Sequence, residues 1–142
     1  MFNTSHFHPM LVHFPIALTM VGALFEVVRF LWSKSKIKLL SGEMLLYFAT
    51  IMVVFALLSG FFFTSSFSGK PLEVRNLHQL LAILSTVTLS MASLFYLLER
   101  YSKQKRKIYY LTGLLFYALS ALLISATGYM GGNLVYTYMI GL

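Results

Sequence analysis

Four long apolar stretches, Leu11–Trp32, Met44–Phe67, Leu77–Leu98 and Ile108–Met130, leave this chain little choice of fold. Each runs for 22 to 24 residues, and about 22 residues of α-helix rise about 33 Å, enough to cross the hydrocarbon core of a bilayer. Backbone groups in lipid must be satisfied within the segment, so the stretches predict helices rather than strands. Short connections join them, which predicts an all-α membrane protein, a four-transmembrane-helix up-and-down bundle. Composition agrees. Hydrophobic residues make up 58% of the 142 positions and charged residues 11%, where a soluble domain carries about a quarter charged. No linker or low-complexity segment interrupts the chain and no internal repeat stands out, so residues 1–142 read as a single domain.

The charge of +7 is distributed unevenly. Lys34, Lys36 and Lys38 follow the first stretch, with Arg29 just inside its end; Arg100, Lys103, Lys105, Arg106 and Lys107 follow the third. The opposite side has Lys70 and Arg75. The positive-inside rule then places both termini outside the cytoplasm, in the manner of a multi-pass protein of the bacterial inner membrane with periplasmic ends. The basic loops are explained as topology signals near anionic lipid, so nucleic acid is not expected as a partner. The first stretch lacks a basic n-region, which argues against a cleaved signal peptide.

Small residues mark the expected helix seams, because association in lipid depends on close backbone approach. The fourth stretch has Ala118, Ala121, Ser125, Gly128 and Gly132; the third has Ala82, Ser85 and Ala92 below His78; the second has Ala49, Ala56 and Gly60. Aromatic residues frame both membrane surfaces as an ordinary belt. The glycine pair Gly131-Gly132 is expected to end the fourth helix and let Leu134-Val135-Tyr136 fold back over the bundle mouth.

All four histidines, His6, His8, His13 and His78, fall at one end of such a bundle. Imidazoles titrate near neutral pH and are the commonest metal ligands. Pro9 suits a first helical position, whereas Pro15 is expected to distort the helix or to mark its true start after a re-entrant segment. His8 and His13 lie about 140° apart around a regular helix, so a zinc-protease type of helix is absent. Asn76 reads as an N-cap with Gln79 three residues on, placing His78 in the first turn of the third helix.

Three readings follow. A noncovalent haem b held between His13 and His78 on diagonal helices would have Arg75, or His6 and His8, near its propionates. A non-haem metal ion would draw on His6, His8, His13 and His78, with Glu73 as an added oxygen ligand, a nitrogen-rich set suited to copper, zinc or iron. In a cofactor-free scaffold or assembly subunit, the histidines would only make hydrogen bonds across the bundle. The chain has no cysteine, which excludes disulfides, thiolate metal sites, iron–sulfur clusters and covalent c-type haem. Glu26 and Arg29, three apart, predict a local ion pair. No chain of buried acids suggests a pump or channel, and no nucleophile set or phosphate loop suggests a stand-alone enzyme.

The opening His8-Pro9-Met10-Leu11-Val12-His13-Phe14-Pro15-Ile16-Ala17 and the closing Gly131-Gly132-Asn133-Leu134-Val135-Tyr136 resemble a widespread family of four-helix bacterial membrane proteins classed as a domain of unknown function. His78, opening the third stretch, and Gly141 in the tail match the same pattern. Association of relatives with c-type cytochrome or other redox modules implies electron transfer on the outer face. An extracytoplasmic c-type cytochrome, or a larger respiratory or redox membrane complex, is the partner so implied. The layout is also similar to small membrane b-type cytochromes, although the inner half has no histidine and so supports no second haem.

Overall fold

The computed structural model describes residues 7–32, 42–63 and 69–138, which form α1 (Phe7–Leu31), α2 (Gly42–Phe63), α3 (Lys70–Tyr101) and α4 (Arg106–Tyr136). All four helices are long and apolar enough to cross a membrane, and the described residues contain no strand. His6, Lys34, Lys36, Lys38, residues 64–67 and Gly141 lie outside the described residues.

Helix ends depart from expectation in three places. α1 begins at Phe7 and runs unbroken through Pro15, whose side chain is fully buried. Neighbouring helices hold the backbone in register where an isolated helix would kink, so there is no re-entrant segment. α3 begins at Lys70, not Leu77. Gly69 takes a φ of 70°, open to glycine at little cost, and Pro71 occupies the first turn, where its missing N–H matters least. Asn76 is therefore an exposed residue inside the helix, and His78 sits two turns in. α4 runs through Gly131-Gly132 to Tyr136, with the Thr137 N–H still donating to the Asn133 carbonyl at 3.0 Å. The expected fold-back of Leu134-Val135-Tyr136 does not occur. In apolar surroundings continued helical bonding outweighs the freedom of two glycines.

α1 packs most extensively on α2 and α3 on α4, while α2 against α3 and α4 against α1 close the ring. α1 and α3 are therefore diagonal. His8 meets Ser59 at one end and Tyr117 meets Gly42 at the other, so α1 and α3 run one way and α2 and α4 the other. We call these the histidine end and the basic end.

Burial reveals a repeat that the sequence conceals. The buried positions of α1, Pro15, Thr19, Gly22 and Glu26, recur in α3 as Ser85, Leu89, Ala92 and Tyr96 on adding 70, with Thr88 and Ser93 buried in α3 besides. Those of α2, Gly42, Leu46, Ala49, Val53 and Ala56, recur in α4 as Gly113, Tyr117, Ser120, Ile124 and Thr127 on adding 71, with Ser59 of α2 and Leu134 of α4 buried besides. The bundle is thus two helical hairpins related by a pseudo-two-fold axis along its length. Leu46, Val53, Leu89 and Ile124 fill the middle of that axis.

Small residues enter this packing in two ways. Ala49, Ala56, Ser85 and Ala92 are core, as expected. The stripe expected on α4 is turned by one residue from the buried face, leaving Ala118 and Ser125 exposed. Its Gly128 lies against Ile16, and the Ser125 hydroxyl reaches the Met20 sulfur at 3.4 Å, so it serves the seam with α1. Hydroxyls of Ser85, Thr86, Thr88 and Thr127 donate to carbonyls one turn back, which satisfies them without water.

Candidate functional site

Each hairpin projects one histidine toward the axis. His8 of α1 lies against α2, its Nδ1 2.8 Å from the Ser59 hydroxyl. That hydroxyl donates its own proton to the Ala56 carbonyl at 2.8 Å, so it accepts from Nδ1–H. His78 of α3 lies against α4 and donates Nδ1–H to the Thr127 carbonyl at 2.9 Å. Both rings are thereby held as the tautomer whose Nε2 carries a lone pair. Their centroids stand 6.3 Å apart, with planes at 81°.

A glycine lies beneath each ring. A Cβ at Gly60 would stand 3.1 Å from His8 Cε1, and one at Gly131 would stand 3.1 Å from His78 Cε1. These two glycines are also a symmetry-related pair, so the space for the imidazoles is built twice by the same device. Between the hairpins opens a mostly apolar cavity of about 380 Å3, within the range of small-molecule and cofactor sites. Val12, Ile16, Val53, Ala56, Ala82 and Ile124 line it, Ser85 and Thr127 meet at its wall through hydroxyls 3.2 Å apart, and Arg75 and Gln79 border it.

The residues singled out from sequence are placed unequally. His8, His13, His78 and Arg75 all line the cavity. The imidazole facing His78, however, is that of His8. His13 is exposed on α1, donating Nδ1–H to the Pro9 carbonyl at 2.6 Å. The 140° between the two histidines admits only one of them to the interior, and the regular course of α1 through Pro15 turns His8 inward. His6 lies outside the described residues. Glu73 is exposed, and no group of three histidine or acidic side chains able to hold a metal ion occurs among the described residues.

The basic end holds a second cluster that sequence reading understated. The expected ion pair is present, Arg29 Nη1 lying 3.4 Å from both Glu26 oxygens. The Glu26 carboxyl itself is completely buried and accepts the Tyr96 hydroxyl at 3.0 Å. Gly42 packs against Glu26, Gly113 against Tyr96 and Gly22 against the Tyr117 hydroxyl, so side chains at these glycines would collide with the cluster. The Arg29 guanidinium lies over the Tyr110 ring, 5.1 Å from its centre. An acid on the small-residue face of a membrane helix was the available signal, since such residues are functional-site candidates by default.

A family described as "Predicted membrane protein (DUF2231)" matches residues 4–142, and the chain belongs to that family. No curated protein and no solved structure matches it.

Proposed function

We propose that this member of the DUF2231 family is a membrane electron-transfer subunit with one b-type haem at the histidine end, which His8 and His78 would hold. The observation that carries this reading is the facing imidazole pair. Metal–imidazole bonds are about 2.0 Å long, so two imidazoles held at a few ångströms' separation would be within reach of one metal. The pair stands at 6.3 Å. Each Nδ1–H is engaged with a neighbouring helix, the arrangement that orients a ligating histidine and leaves Nε2 for the metal.

The surroundings suit a flat apolar group. Gly60 and Gly131 leave room where any side chain would press on the rings. Arg75 borders the cavity and offers a guanidinium to propionate carboxylates. His13, near the same opening, would contact that edge rather than the metal. The apolar walls would keep water from the site, and a bound haem would supply one-electron exchange. By the positive-inside rule the basic connections would lie in the cytoplasm. The haem would then face an extracytoplasmic redox partner, such as a c-type cytochrome or a larger respiratory complex of the bacterial inner membrane.

Optical spectra of protein purified in mild detergent, after expression with haem supplied, test the reading. A b-type α-band that sharpens on dithionite reduction is expected. His8→Ala and His78→Ala should each abolish it while the helices still insert, and His13→Ala should retain it. Loss in His13→Ala with retention in His8→Ala would restore the pairing expected from sequence. A featureless spectrum would overturn haem altogether and leave the imidazoles as a contact between hairpins.

A further inference from the structure

The geometry points to Glu26 as a proton-exchange site that opens to the basic end of the bundle. Glu26 lies 18 residues beyond His8 on α1, about 27 Å of helix rise, so it has no part in the histidine site. Its position is not one where packing calls for an acid. The symmetry-related residue is Tyr96, seated on Gly113 as Glu26 is seated on Gly42. A large side chain over a glycine meets the packing need, and the carboxyl is extra.

Both protonation states have partners in place. With Glu26 ionised, Tyr96 donates to Oε2 and Arg29 is drawn toward the two oxygens. At 3.4 Å that ion pair is longer than the roughly 2.7–2.9 Å of a tight charge-assisted bond. The Arg29 side chain is 50% exposed while that of Glu26 is 0% exposed, so the arginine spans from the carboxyl to the surface. With a proton added to the carboxylate, the phenol of Tyr96 can accept from the new O–H, and Arg29 remains charged and turns outward.

The groups facing Glu26 are Arg29 on its own helix, the Gly42 backbone of α2, Tyr96 of α3, and Tyr110 and Tyr117 of α4. Beyond Arg29 lies a polar hollow bordered by Glu43, Glu99, Arg100 and Arg106, which gives water a way to within about one helical turn. Toward the histidine end the middle of the axis is filled by the apolar side chains of Leu46, Leu89, Val53 and Ile124. Thr19, two turns along the same face of α1, has a buried hydroxyl without a partner.

Infrared difference spectra of the reconstituted protein, taken between acidic and alkaline buffer in H2O and D2O, read the carboxyl directly and do not depend on the histidine site. The chain has four acidic side chains in all, which makes assignment tractable. A protonated-carboxyl band is expected that appears with acid, shifts in D2O, survives in Glu43→Gln, Glu73→Gln and Glu99→Gln, and is lost in Glu26→Gln. Tyr96→Phe keeps the ring and should move the band to higher frequency by removing one hydrogen bond. This variant also carries the test should Glu26→Gln fail to insert. A difference spectrum unchanged by Glu26→Gln, or a band unmoved in Tyr96→Phe, would overturn the proposal.

Discussion

At the histidine end the pseudo-two-fold axis relates like to like, His8 to His78 and Gly60 to Gly131; at the basic end it relates unlike groups, Glu26 to Tyr96, over the equivalent glycines Gly42 and Gly113. The framework is the same at both ends: a long side chain from an odd-numbered helix lies over a glycine of its hairpin partner. The identical side chains stand with ring centroids 6.3 Å apart and line a cavity. Complementary ones, a carboxyl and a phenol, close on one another at 3.0 Å. One packing device therefore builds a cavity beside like side chains and a direct contact between unlike ones, and the side chain over the glycine decides which.

The largest effect that would break this comparison belongs to Tyr117. Its fully buried ring lies edge-on to Tyr96, with centroids 6.5 Å apart, and Tyr117→Ala should destabilise the bundle by about 3 kcal/mol or more. Thermal unfolding in detergent checks this, and the b-type band proposed for the far end should persist below the lowered midpoint. Equal loss of both would mean that the two ends are not separable. Next comes Gly131→Val, which forces a branched side chain onto the His78 ring. Overpacking by about 1–3 kcal/mol is expected, together with loss of the proposed b-type band and an unchanged Glu26 band. The smallest change sharpens the boundary of the basic-end cluster. Glu99→Gln removes the surface pair with Arg106 at 2.9 Å and should alter stability by less than about 1 kcal/mol, measured by the same unfolding assay.

Much of the architecture was legible in the residues. Segment length and apolarity specify four spans because lipid offers no partner for a free backbone group. The positions of His8, His13 and His78 relative to those spans put them at one end. The repeat was not legible, since few aligned residues are identical: His8/His78, Leu11/Leu81, Leu24/Leu94, Phe25/Phe95, Gly42/Gly113 and Gly60/Gly131. In a core that needs only apolar volume, many residues serve at one position, so symmetry survives in burial after it has faded from sequence.

What the sequence determined by itself is the set of helices, their alternation and the clustering of imidazoles, all consequences of local length and hydrophobicity. Tertiary structure alone decided that His8 rather than His13 faces His78, that α4 continues through its glycines, and that Glu26 meets the Tyr96 hydroxyl. The physical reason is rotation. Hydropathy locates a helix in depth, but which of its faces turns inward depends on partners tens of residues away, here the glycines that give each long side chain its place.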